Sequence, residues 1–121
     1  YSCSEAQTCA QIQKMYREHK YLLDTHTAVA YLAAQEYRQA TGDRLHTVTL
    51  STASAFKFSA DVLKALGSTE ATGDSFAQNK LLSELTGQSI PARIRALENA
   101  VVRHEGIVEK QEMFAAINAV L

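Results

Sequence analysis

The six residues Leu45-His46-Thr47-Val48-Thr49-Leu50 constrain the fold more than any other stretch. They are β-branched and apolar, with Gly42-Asp43 before them and Ser51-Thr52 after, which is the pattern of a strand. A single strand cannot form a stable sheet; three or more are needed. Elsewhere only Val101-Val102 and Ile107-Val108 read as short strands. The expected architecture is therefore an α/β fragment, rich in helix, with one clear strand and about six helices. An apolar surface around Leu45 to Leu50 should be left open for neighbours that this chain hardly supplies.

The helices are legible from their ends. Ser2-x-x-Glu5 spells a capping box, and Cys9, Ile12 and Tyr16 keep helical spacing, so a first helix should run to about His19. Tyr21-Leu22-Leu23-Asp24 turns the chain, and Asp24 is placed to cap a second helix whose apolar face is Val29, Leu32, Ala33 and Tyr37. That helix stops before Gly42. Further helices are expected from about Ser59 to Leu66, from Phe76 to Leu85, from Pro91 to about Leu97, and from about Gln111, the last aligning Met113, Phe114, Ile117 and Leu121. Gly67 to Asp74 is the most loop-like stretch, rich in glycine, serine and threonine.

Composition narrows the function. A chain of 121 residues with 46% hydrophobic content suits one domain over 1–121. The net charge is −1 and no basic block occurs, so nucleic-acid binding is not expected. No apolar run approaches the roughly 20 residues of a membrane span. Cys3 and Cys9, if on one helix, stand about 9 Å apart along its axis, too far for a disulfide. A reduced, cytoplasmic protein is expected. The chain opens at Tyr1 without an initiator methionine, and almost directly in a helix, which suits a piece of a longer polypeptide.

Generic catalytic signatures are missing. His19, His26, His46 and His104 are scattered and lack metal-ligand spacing, so no metal is expected. No nucleophile elbow, P-loop or dinucleotide fingerprint occurs. Glu105 and Glu109 read as a solvated pair in a charged region. Two stretches remain. In Asp24-Thr25-His26-Thr27-Ala28-Val29-Ala30 a carboxylate, an imidazole and two hydroxyls crowd a helix start, where backbone N–H groups favour anions. Asp24 and Thr27 could equally do no more than cap the helix. In Leu50-Ser51-Thr52-Ala53-Ser54-Ala55-Phe56-Lys57-Phe58, hydroxyls follow a strand, the place where α/β folds bind ligands. A plain polar turn would look the same.

Both stretches resemble segments of threonine synthases. Leu23 to Ala30 is similar to their D-P-H-T-A-V-A segment, and Leu50 to Phe58 to their L-S-T-A-S-P-x-K-F segment, with the same order and a similar gap. Weaker similarity continues through Ile90-Pro91 and Val101-Val102-Arg103-His104 to the terminal helix. Thr25 and Ala55 stand where that family usually has proline, which removes a φ restraint at each turn. The resemblance implies the C-terminal part of a three-layer α/β/α enzyme of fold type II. Such enzymes use pyridoxal phosphate to convert O-phosphohomoserine and water into threonine and phosphate. It implies that Thr52 meets the pyridine nitrogen, and that Asp24, His26, Thr27, Ser54 and Lys57 line or support the substrate side. The family's cofactor-bearing lysine and its phosphate-binding loop lie in earlier segments not found here, so no catalytic residue is assigned within the chain. The expected partner is the remainder of the same enzyme, and the chain alone is expected to be inactive. The alternative is a free-standing helical module, derived from such an enzyme, that binds a protein.

Overall fold

In the computed structural model, which describes residues 1–69, 73–103 and 106–119, the first helix begins two residues later than Ser2-x-x-Glu5 suggests. Ser4 caps α1 (Glu5–His19). Its hydroxyl accepts from the Gln7 N–H at 3.3 Å, while the Gln7 side chain accepts from the Ser4 N–H at 2.8 Å. Ser4-x-x-Gln7 makes the same reciprocal box, and it leaves Tyr1 free to lie edge-on to Tyr37 with ring centroids 6.2 Å apart. Cys3 thus precedes the helix rather than sharing it with Cys9, and both are free thiols.

The remaining helices begin and end close to the positions their sequence signals mark. Lys20, at φ 55°, closes α1 by donating its N–H to the Tyr16 carbonyl. Asp24 caps α2 (Thr25–Thr41), which ends at Gly42 in the left-handed region that favours glycine. There follow α3 (Ser59–Ala65), α4 (Ser75–Thr86) capped by Asp74, and α5 (Ala92–Ala96) after Pro91. The chain continues through a 3₁₀ turn at Leu97–Asn99 and ends in α6 (Met113–Asn118). Six α-helices among the described residues match the expected number. None of them is long and apolar enough to cross a membrane.

The core lies where α1 meets α2 and α3, and α3 meets α4. Ile12, Val62, Leu63 and Leu82 are fully buried there, with Leu23, Ala28 and Phe56 around them. One polar pair crosses it. The Ser59 hydroxyl donates to the Asn79 side-chain carbonyl and lies 3.2 Å from the Phe56 carbonyl oxygen, so α3 and α4 are locked in register. The Tyr16 hydroxyl reaches the Thr86 carbonyl at 3.4 Å and ties α1 to the end of α4.

The expected strand is corrected. Among the described residues no strand forms, neither at Leu45 to Leu50 nor at Val101-Val102 or Ile107-Val108, and no three-layer sheet is built. A strand exists only through its ladder, and β-branched residues express a fit to a half-buried surface rather than a backbone preference. The apolar residues of this stretch are uncovered: Leu45 is 75% exposed, Val48 82% and Leu50 77%.

The second helix differs from expectation for the same reason. Beyond its first turn no residue is fully buried, and Val29 and Tyr37 are exposed. On α6, Met113, Phe114 and Ile117 align as read but stand in solvent. His104, Glu105, Leu121 and residues 70–72 of the loop lie outside the described residues.

Candidate functional site

The two stretches singled out in the sequence meet in space, at the first turn of α2. Asp24, as N-cap, accepts through Oδ1 from the His26 N–H at 3.0 Å and from the Thr27 N–H at 3.1 Å. Its other oxygen, Oδ2, accepts from the Thr27 hydroxyl and lies 3.4 Å from Ser51 Oγ. The Thr27 and Ser51 hydroxyl oxygens are themselves 3.1 Å apart. Three side chains from two separate segments therefore close a hydrogen-bonded triangle around a carboxylate that is 2% exposed.

A second contact sits at the far end of the later segment. The His26 ring lies 4.8 Å from the Phe58 ring, tilted by 45°. Lys57 places Nζ 5.9 Å from the centre of the same ring, a cation–π distance. His26 Nδ1 is also 3.2 Å from the Thr25 hydroxyl and 3.7 Å from Asp24 Oδ1. The imidazole and the ammonium thus share one aromatic support, both exposed, above the start of α2.

Thr52 and Ser54 differ. Thr52 is exposed, and no described residue holds its hydroxyl. Ser54 acts locally, since its Oγ accepts from the Phe56 N–H at 3.3 Å and caps the 3₁₀ turn Ala55–Lys57. Beside these residues a hollow of about 300 Å³ opens between Ser51, Ser54, Phe56, Tyr21, Gln88 and Pro91. Among the described residues no three His, Cys, Asp or Glu converge to hold a metal.

Burial by itself would push the Asp24 carboxyl up. The bonds from the Thr27 side chain, the two backbone N–H groups and Ser51 outweigh it and hold the group below its ordinary value of 3.8. A depressed folded-state pKa gives stability that is present above the unfolded value and is lost as pH falls through the folded one. Asp24→Asn should therefore flatten the acid limb of the stability curve below pH 3.8. Urea unfolding from pH 6 down to about pH 2 measures this; parallel acid limbs for wild type and variant would show that the charge on Asp24 contributes nothing.

The arrangement of these residues along the chain is also that of a known family. The family model described as "Threonine synthase, C-terminal" matches residues 27–117, which is most of the chain. The chain belongs to the threonine synthase C-terminal family. The match to threonine synthase takes in Thr27, Thr52, Ser54 and Lys57, while Asp24 and His26 stand immediately ahead of it.

Two participants, Ser51 and Phe58, carry no individual mark in the sequence beyond their membership of the stretch around Thr52. The available signal is that a buried carboxylate has its oxygens hydrogen-bonded, and Ser51 is the serine beside the motif's central threonine.

Proposed function

We propose that this chain is the C-terminal segment of a pyridoxal-phosphate-dependent threonine synthase and forms one wall of its active site. One observation carries the reading. Thr52, inside the family match, stands on a loop tied to the start of α2 and presents an uncommitted hydroxyl to solvent. A lone hydroxyl fits the ring nitrogen of the cofactor, for which it is a neutral partner that does not enforce protonation as a carboxylate would. The cofactor, when bound, supplies the electron sink for replacement chemistry; the protein sets its electronics and orientation.

The other residues divide by availability. His26 and Lys57 are exposed and both lie against the Phe58 ring, which suits the phosphate of O-phosphohomoserine. Asp24 and Thr27 are engaged with each other and with Ser51, and Ser54 with its turn, so these support the wall from behind. The open apolar residues at 45–50 suit docking of the remainder of the enzyme, whose sheet would give them the ladder they lack. The earlier segments would bring the cofactor-bearing lysine and the phosphate loop, and a cytoplasmic setting belongs to the same proposal.

On this reading the isolated chain binds pyridoxal phosphate weakly and at no single lysine. Incubation with the cofactor, borohydride reduction and peptide mapping should show sparse labelling spread over surface lysines. Stoichiometric labelling of one lysine would contradict the proposal.

A further inference from the structure

A carboxylate that meets a substrate needs an open oxygen aimed into a cavity. Asp24 has none. Both oxygens are taken, one by two backbone N–H groups and the other by the Thr27 hydroxyl with Ser51 alongside, and the side chain is sealed from solvent. Its only contact outside its own helix turn, among these bonds, is Ser51, the residue directly before Thr52.

We propose that Asp24 and Thr27 are positioning residues, which grip Ser51 and through it set where the Thr52 hydroxyl stands. The inference rests on the reading of Thr52 given above and deepens it. Residues 51 and 52 lie in neither helix nor strand, so the side-chain bond at Ser51 is what ties the loop here to the start of α2. Ser51 and Thr52 are both exposed; the Ser51 hydroxyl is bonded to Asp24, and the Thr52 hydroxyl beside it stays open. The contact of Phe58 with His26 pins the other end of the segment to the same turn of α2. Between these two anchors the hydroxyl of Ser54 bonds only locally, to its own turn. Removing the grip on Ser51 leaves the upstream end of the segment continuous with residues 45–50, where Leu45, Val48 and Leu50 stand exposed.

Two measurements test this. In the 121-residue chain, ¹⁵N relaxation at Thr52 and Ala53 should give order parameters near the rigid value of about 0.85 in wild type and in Ser51→Thr, and below about 0.6 in Ser51→Ala. Unchanged signals from His26 to Val29 show that α2 stays folded. Order parameters at Thr52 that do not differ between Ser51→Ala and wild type overturn the proposal.

In the complete enzyme, absorbance titration with pyridoxal phosphate gives the second readout. Ser51→Ala should raise the cofactor dissociation constant about fivefold, the cost of fixing one freed loop residue, and Ser51→Thr should restore it. If Thr52→Val weakens the cofactor while Ser51→Ala does not, the positioning role is refuted and the Thr52 reading stands. If Thr52→Val has no effect, the Thr52 reading falls, and the order parameters alone decide whether the grip exists.

Discussion

Thr52→Val in the complete enzyme should lower kcat/KM for O-phosphohomoserine by about ten- to a hundredfold, while Thr52→Ser retains most of the activity. Valine keeps the shape of threonine and removes only the hydroxyl. On the proposed reading, a cofactor ring nitrogen in a desolvated site would then lose its partner, which costs on the order of 1–3 kcal/mol, and each 1.4 kcal/mol is about tenfold in rate. Thr52 is well suited to the comparison because no described residue uses its hydroxyl, so the substitution disturbs no internal bond. Steady-state kinetics on the three proteins decides the matter. Wild-type kinetics for valine, together with loss of activity in Lys57→Ala, would place the substrate phosphate rather than the cofactor ring against this loop.

The second large effect is on folding. Leu63→Ala should destabilise the chain by about 2–5 kcal/mol, the range for truncating a fully enclosed leucine. Leu63 is 0% exposed and lies on α3, the helix that packs against both α1 and α4. The buried apolar cluster is small, with Ile12, Ala28, Val62 and Leu82 equally enclosed. A loss of that size is a large fraction of the stability of a modest domain, commonly about 5–15 kcal/mol. Urea midpoints should fall sharply for Leu63→Ala and hardly at all for Leu45→Ala, because Leu45 already faces solvent. Equal losses at both positions would mean that the core has been misplaced.

How much of the fold is legible in the sequence depends on range. Helix ends are readable because their causes are local: Asp24 and Asp74 cap their own next turns, and Gly42 and Gly87 terminate helices by adopting positive φ. The capping box is ambiguous because Ser2 and Ser4 both have an acid or amide three residues on, and the sequence alone does not choose between them. Leu45 to Leu50 misleads for a deeper reason. Its strand pattern describes a surface waiting for neighbours, and neighbours are not encoded in six residues.

The site shows the same division. The motif letters mark Asp24, Thr27 and Thr52, but the bond from Asp24 to Ser51 joins residues 27 positions apart and is visible only once α2 is folded. Sequence spacing likewise does not show that His26 and Lys57 share the ring of Phe58.

The corner between α1 and α2 has a consequence of its own. Lys20 returns its N–H to the Tyr16 carbonyl at one side, and Asp24 takes the His26 and Thr27 N–H groups at the other. Each helix end is thus satisfied from within, across a bend of a few residues that draws no backbone bond from elsewhere among the described residues. The corner behaves as a bracket whose two helix ends need nothing from another polypeptide. On the proposed reading, assembly with the rest of the enzyme would order the strap from Asp43 to Leu50 against a corner whose helix ends are already satisfied, so that conformational entropy is lost there over a short stretch.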